Sequence, residues 1–250
     1  MFFGYNGVNQ KVINTLLIIL VVISFASMSS GEWLYLLLTL PAVIIAITFH
    51  EFAHAFAADR LGDTTPRNQG RLTLNPISHL DFFGFILMMF AHIGWGKPVQ
   101  INPSNFNSNK SRGFCEAMVS LAGPLMNFFL AIVCCFAYSI IYELTGGTYM
   151  NSTIGAIGMS LLSMLITVNI GLGVFNLLPL PPLDGEKIFR NILPYKAQAW
   201  LTENYQTLYM VFMILWIFGF LEVIVAPVID FVSNVIFVGV DFLVNLFIKK

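Results

Sequence analysis

Long apolar runs alternate with short polar connections along this chain, and their lengths predict helices that cross a membrane. A helix rises about 1.5 Å per residue, so roughly 20 apolar residues are needed to cross the hydrocarbon core of a bilayer. Six runs come close to that length or exceed it. The predicted spans are about 12–28, 34–59, 114–142, 154–178, 205–222 and 224–248.

The segment between the second and third predicted spans, residues 60–113, has a different pattern. Residues 70–76 and 94–103 alternate like short strands and end at prolines. The apolar run 82–93 between them has only twelve residues, which is about 18 Å as a helix and too short to cross. We therefore predict a cytoplasmic-face insert of two short strands and a re-entrant segment. Such backbone is tolerated at membrane depth only against protein or a water-filled cavity.

Basic residues indicate the orientation, because cytoplasmic loops carry an excess of Lys and Arg. If the run 82–93 does not cross and the N-terminus is inside, all twelve basic residues fall on the cytoplasmic side. If the run does cross, the first four in the chain stay inside and the other eight fall outside. Six spans with both termini cytoplasmic is therefore the prediction. The basic residues are Lys11, Arg60, Arg67, Arg71, Lys97, Lys110, Arg112, Lys187, Arg190, Lys196, Lys249 and Lys250.

Composition supports an integral membrane protein. Of the 250 residues, 57% are hydrophobic and 10% are charged, whereas soluble domains carry about 25% charged residues. The formal net charge of −1 gives no reason to expect a nucleic acid partner. Cys115, Cys134 and Cys135 form neither a disulfide framework nor a zinc-knuckle spacing. The predicted fold class is an all-α polytopic membrane protein, a single domain over residues 1–250, with the small insert described above.

The first apolar run has a competing interpretation as a signal peptide, because the stretch 26–29 at its end is rich in small residues. Lys11 is the one positive charge that precedes the run, and a second span follows at once. These features favour a retained first span.

A His-Glu-x-x-His pattern lies inside the second predicted span, at His50, Glu51 and His54. Histidines four residues apart project from one face of a helix, one turn apart, which suits two ligands of a tetrahedral zinc ion. Glu51 then lies beside the bound water as a general base. Ionisable residues are costly inside a membrane, which favours a functional site over a chance match. Arg60 follows His50 by ten residues, which places the site about 15 Å from that end of the helix.

A catalytic zinc site needs a third protein ligand and one open position. No Gly or His follows His54 at metzincin spacing, and no Glu lies between Glu51 and Glu116. Asp184 is favoured because it follows a span that three prolines break, and because a carboxylate offsets part of the charge of Zn²⁺ in a low dielectric. An ordinary helix N-cap is the alternative role for Asp184. The other candidate ligands are His79, Asp81 and His92.

Five motifs in one order resemble the site-2 protease family of intramembrane zinc metalloproteases. They cover about residues 45–190 and are specific jointly. The motifs are His50-Glu51-x-x-His54, Gly70-Arg71-Leu72-Thr73-Leu74-Asn75-Pro76, Gly94-Trp95-Gly96-Lys97-Pro98-Val99, Gly123-Pro124-x-x-Asn127 and Asn176-Leu177-Leu178-Pro179-x-Pro181-Pro182-Leu183-Asp184-Gly185.

The resemblance implies one Zn²⁺ per chain, held by His50, His54 and Asp184, with Glu51 as the base. It implies substrate positioning or oxyanion binding by Asn127 and Asn176, whose alternative role is hydrogen bonding between helices. It also implies cleavage within or near a transmembrane segment of a single-span membrane protein, in regulated intramembrane proteolysis, with both enzyme and substrate in the lipid bilayer.

The chain is most similar to small prokaryotic members of that family, which implies a prokaryotic cell membrane. Many members carry a PDZ-like or a cystathionine-synthase-like regulatory domain, and the short predicted outer loops leave no room for the PDZ-like one. The sequence therefore does not identify a regulatory partner. Two other functions stay open here, namely a metal transporter that uses the same ligands and an inactive member that serves as a binding scaffold.

Overall fold

The computed structural model describes residues 19, 29–82, 84–86, 96–107 and 109–248, and these residues are mostly helical. Short 3₁₀ turns lie at Pro76–Ser78, Pro103–Asn105 and Thr148–Asn151. The helices are α1 (Ser30–Arg60), α2 (Thr65–Asn68), α3 (Arg112–Thr145), α4 (Thr153–Asn176), α5 (Asp184–Ile192), α6 (Tyr195–Glu203), α7 (Tyr205–Ile217) and α8 (Phe220–Ile248).

Four of the described helices, α1, α3, α4 and α8, are long and apolar enough to cross a membrane. Serine side chains fix where three of them begin. Ser29, Ser111 and Ser152 each accept a hydrogen bond from a backbone N–H in the first turn of the helix that follows. The chain is therefore a multi-pass membrane protein.

The prediction of six spans is not reproduced in the described residues. Residues 12–28 lie outside the described part of the chain, apart from residue 19. The predicted span over 205–222 is instead α7, whose 13 residues extend about 20 Å. A turn at Gly219, where φ is +74°, separates α7 from α8. Hydropathy does not register such a turn, because the residues around it remain apolar.

The predicted strands of the insert do not form in the described residues. Residues 71–75 and 97–102 have no strand partner, and an isolated antiparallel bridge joins Leu80 to Gly96. The guanidinium group of Arg71 replaces a strand ladder by donating to the backbone carbonyls of Ser78, Lys97 and Pro98. Most of the predicted re-entrant segment 82–93 lies outside the described residues.

Asp63 joins the two ends of the insert. Its buried carboxylate accepts hydrogen bonds from Thr65, from the backbone N–H of Asn102 at 2.6 Å and from the side chain of Asn105 at 3.0 Å. Burial raises the pKa of this carboxyl, but the hydrogen bonds outweigh burial and hold the pKa below its ordinary value. The segment 97–102 is thereby anchored beside the C-terminal end of α1.

Helix α3 is central, since it packs against α1, α4, α5 and α8. An apolar core joins α3, α4 and α8. Two buried asparagines interrupt the apolar surroundings, Asn127 on α3 and Asn169 on α4. Buried amides need hydrogen-bond partners, and their partners lead to the site described next.

Candidate metal centre

Two imidazoles and one carboxylate meet where α1, α3 and α5 come together. Because His50 and His54 are one turn apart on α1, their Nε2 atoms lie 3.0 Å from each other. Oδ2 of Asp184, the first residue of α5, lies 3.1 Å from Nε2 of His50 and 3.0 Å from Nε2 of His54. Among the described residues these three form a group that could hold a metal ion.

The spacing of these atoms fits a small divalent cation. Ligands bound tetrahedrally at about 2.0–2.1 Å from zinc lie about 3.3–3.4 Å apart, close to the observed separations. Both histidines are buried, and two imidazoles with one carboxylate are a ligand set that zinc accepts. Three protein ligands would leave an ion held here able to bind water or substrate as well.

Hydrogen bonds on the far side of each ring orient the nitrogens. Nδ1 of His50 lies 2.7 Å from Oδ1 of Asn127, and Nδ1 of His54 lies 2.7 Å from the backbone oxygen of Val119. Both partners are acceptors, so each Nδ1 carries the proton and donates. The lone pair of each Nε2 then faces the other two ligand atoms, as metal binding requires.

Gly123 on α3 allows the two imidazoles to pack against its backbone. A Cβ atom at this position would lie 2.5 Å from Nε2 of His54 and 2.7 Å from Cε1 of His50. Any side chain at 123 would therefore occupy space that the rings fill. In the sequence, this glycine is indistinguishable from one that merely bends the helix beside Pro124.

The loop between α4 and α5 places Asp184. Helix α4 ends at Asn176, ahead of the prolines, and the Pro181–Pro182 bond is cis. A Cβ on Gly185 would lie 2.3 Å from the carbonyl oxygen of Leu178, so the backbone approach requires glycine here. Leu183, and not Asp184, occupies the N-cap position, and the Asp184 carboxylate faces the imidazoles. The alternative interpretation of Asp184 as an N-cap therefore does not describe this geometry.

Glu51 lies on α1 between the two histidines and faces the insert. Its Oε2 accepts a hydrogen bond of 2.9 Å from the backbone N–H of Val99, and a Cβ on Gly96 would lie 3.7 Å from its Oε1. The segment 97–102 therefore runs past the candidate base. The sequence pattern predicted a strand over 94–103 and did not predict the contact of this segment with Glu51.

The remaining predicted site residues have other partners. The buried His79 contacts the backbone oxygen of Thr73 through Nε2, and Asp81 accepts from the N–H of Gly84. Neither belongs to the metal-binding group, and His92 lies outside the described residues. Asn176 donates to the carbonyl of Leu172 in its own helix.

Both side-chain N–H groups of Asn127 have partners within the protein. Its Oδ1 contacts His50, while Nδ2 donates to the oxygen of Ala46 at 3.1 Å and to Oδ1 of Asn169 at 2.9 Å. The side chain is fully buried. The side chain of Asn127 thus contacts His50, and its role in substrate positioning or oxyanion binding stays a prediction. Asn169 lies within the predicted span 154–178 and belongs to none of the five motifs, so the sequence did not assign it to the site.

Comparison with known proteins agrees with this geometry. The sequence pattern of peptidase family M50 matches residues 38–220. A Bacillus subtilis (strain 168) protein named "Putative zinc metalloprotease YwhC" is 39% identical over 186 residues, which are 73% of this chain and 80% of that protein.

More distant relatives carry a similar name. A Mycobacterium tuberculosis (strain H37Rv) protein named "Putative zinc metalloprotease Rip2" is 31% identical over 146 residues, 57% of this chain and 52% of that protein. The Mycolicibacterium smegmatis protein of the same name is 28% identical over 155 residues, 60% of this chain and 54% of that protein. No solved structure matches the chain at a significant level. The chain therefore belongs to peptidase family M50, the site-2 protease family, and is a zinc metalloprotease.

Proposed function

We propose that this protein hydrolyses a peptide bond within or near a transmembrane segment of a single-span membrane protein, in regulated intramembrane proteolysis. In this proposal His50, His54 and Asp184 hold the zinc ion and Glu51 is the base. The observation that carries it is the position of the metal-binding group. His50 lies twenty residues after the start of α1 and ten before its end, inside a helix long enough to cross the membrane.

The chemistry follows from the groups around that position. A zinc ion held by His50, His54 and Asp184 would lower the pKa of its bound water towards about 7 and would polarise the scissile carbonyl. Glu51 accepts the water proton and delivers it to the leaving amine nitrogen. The Val99 N–H occupies Oε2, which leaves Oε1 of Glu51 as the oxygen that exchanges the proton. Asn176, half-buried at the end of α4, is the residue proposed to position the substrate.

The charge pattern supports access from the cytoplasm. The polar insert follows Arg60, at the end of α1 nearer to His50, and the positive-inside rule assigns that face to the cytoplasm. We place the protein in a prokaryotic cell membrane with both termini cytoplasmic. Water then reaches the site over about 15 Å of helix instead of the full thickness of the bilayer.

Replacing Glu51 with Gln is expected to abolish cleavage while zinc is retained. The amide keeps the size of the side chain but cannot take the water proton, and loss of a general base lowers rates by about 10²–10⁴-fold. The measurement is cleavage of a co-expressed single-span substrate tagged at both ends, with zinc quantified in the purified protein.

A matched control is Glu116→Gln, since this carboxylate on α3 contacts Arg190 at 3.9 Å and lies outside the metal-binding group. Equal cleavage by the wild type and the Glu51 variant would contradict the role of the base. Cleavage of soluble peptides alone, with membrane-inserted substrates left intact, would contradict the proposed substrate class. A wild-type protein that binds zinc but cleaves no substrate would favour the alternative of an inactive family member that serves as a binding scaffold.

The segment 97–102 is proposed to bind the partly unwound substrate as an extended edge. Several of its backbone groups already have partners, including the N–H of Lys97, bonded to His79 oxygen at 2.7 Å. The N–H of Val99 is bonded to Glu51. The backbone N–H of Gln100 has no partner among the described residues. That group therefore offers the clearest test of substrate pairing.

Gln100→Pro is expected to slow cleavage about tenfold without loss of zinc. Proline removes one N–H donor, worth roughly 0.5–1.5 kcal/mol as a hydrogen bond, and favours extended backbone at the preceding residue, Val99, which is the conformation proposed for substrate pairing. Gln100→Ala is the control. It removes the side-chain contact with Gln69 but keeps the N–H. The measurement is the cleavage rate of a membrane-inserted substrate, and equal rates for the two variants would show that no substrate hydrogen bond forms at this N–H.

A further inference from the structure

We propose that Asn169 is a positioning residue for the metal site, because through Asn127 it fixes which nitrogen of His50 carries the proton. This inference deepens the proposed function, since it rests on His50 as a zinc ligand. The three residues come from α4, α3 and α1 and are all buried, with Asn127 and Asn169 at 0% exposure. They form a side-chain relay that ends at the ring of His50.

The hydrogen bonds of the relay all run the same way, since each residue donates to the next, from His50 through Asn127 and Asn169 to the oxygen of Leu165. Nδ2 of Asn169 donates to the backbone oxygen of Leu165 at 2.8 Å, which turns its Oδ1 away from that carbonyl. That oxygen accepts from Nδ2 of Asn127 at 2.9 Å. Oδ1 of Asn127 consequently points at Nδ1 of His50, 2.7 Å away.

An isolated asparagine could not enforce this arrangement, because its amide can rotate by 180° and exchange oxygen for nitrogen. A rotated Asn127 would present N–H to Nδ1 of His50. The proton of His50 would then move to Nε2, which could no longer bind a metal ion. Rotation would also place Oδ1 of Asn127 against Oδ1 of Asn169 and the oxygen of Ala46, so three acceptors would meet in a buried site.

The second histidine does not depend on such a relay. Nδ1 of His54 donates to the backbone oxygen of Val119, and a backbone carbonyl cannot exchange its acceptor for a donor. The side-chain relay therefore acts on one ligand of the pair. Partners behind a metal ligand orient the ring, and their removal typically weakens metal binding by about 10–100-fold.

The test replaces Asn169 with Leu, which is similar in size but lacks the acceptor, and with Asp, which keeps an oxygen at the same place. We expect Asn169→Leu to weaken zinc binding by about 10–100-fold and to alter the visible absorption bands of the cobalt-substituted protein. Asn169→Asp should stay close to the wild type in both measurements, because a neutral carboxyl at this buried position donates its O–H to the Leu165 oxygen and keeps its other oxygen for Asn127. Zinc affinity is measured by competition with a chelator on the purified full-length protein in detergent, without any substrate.

Asn245→Ala is the matched control. Asn245 on α8 also donates to the carbonyl four residues earlier, at 2.8 Å, and it is outside the metal-binding group. Unchanged zinc affinity in Asn169→Leu would overturn the proposal. An equal loss of zinc affinity in Asn169→Leu and Asn169→Asp would also overturn it. So would a loss in the Asn245→Ala control as large as that in Asn169→Leu. If the Leu variant does not fold, Asn169→Ser replaces it, with the same expected loss and the same overturning result.

This test separates the relay from the proposed function. If the relay is wrong, the Asn169→Leu protein binds zinc and cleaves as the wild type does. If the proposed proteolysis is wrong, the wild type still binds zinc more tightly than that variant but cuts no single-span substrate.

Discussion

Replacing Asp184 with Ala is expected to remove zinc from the protein and to reduce cleavage to background. The substitution deletes the one carboxylate oxygen that lies 3.0–3.1 Å from both imidazoles. Two histidines alone supply too few ligands for a catalytic zinc site. Zinc content should fall from about one ion per chain towards zero. The cleavage rate should fall at least about a thousandfold, because the metal stabilises the transition state by several kcal/mol.

Two further variants test whether Asp184 acts as a metal ligand or as a helix cap. Asp184→Ser retains a side chain that can cap a helix but offers no carboxylate, so it should lose zinc as completely as the alanine variant. Asp81→Ala removes a carboxylate that accepts from Gly84 and should keep zinc. Zinc retention by the serine variant would show that Asp184 acts on the helix and not on the metal, and zinc loss with Asp81→Ala would point to a ligand in the insert.

The part of the candidate site that lies on α1 could be predicted from the sequence. The positions of His50 and His54 follow from helical periodicity alone, since residues four apart share a face of any helix. The same motif predicts Glu51 as the base. The spans α1, α3, α4 and α8 were likewise predictable, because length and hydropathy are properties of the segment itself.

Contacts between distant segments were harder to predict. Asp184 emerged as the favoured third ligand from its proline-broken context, yet its approach to the histidines depends on how α5 packs against α3. The partner of Asn127 could not be read from its motif, because an amide can serve a substrate, another helix or a ligand ring. His50 is its partner because Asn169 lies behind it, and no local pattern records that arrangement.

The insert shows the same limit. Alternation in 70–76 and 94–103 predicted strands, but a strand also needs a partner at the right spacing. In the described residues Arg71 and Asp63 hold this region instead. Side-chain bonds of this kind depend on tertiary structure, so the predicted strands were wrong where the residues are described.

Gly123→Ala is expected to weaken zinc binding at least about a hundredfold and to abolish cleavage, although alanine favours a helix more than glycine does. The added methyl group would lie 2.5 Å from Nε2 of His54, 2.6 Å from its Cε1 and 2.7 Å from Cε1 of His50. Both rings must move to relieve the overlap, and misplacement by about 1 Å in an active site can cost about a hundredfold. The measurements are zinc affinity by chelator competition and cleavage of a membrane-inserted substrate.

Gly171→Ala on α4 is the matched control, because a Cβ there meets its nearest neighbour, Cδ1 of Ile229, at an ordinary 3.9 Å. It should retain zinc and activity. Since both substitutions add one methyl group to a glycine within a spanning helix, a difference between them isolates contact with the histidines from any general effect on the helix. Wild-type zinc affinity in Gly123→Ala would mean that the rings do not pack against α3 when metal is bound. Asn127 and Val119, which reach the histidines from the same helix, would then lose their proposed role in orienting them.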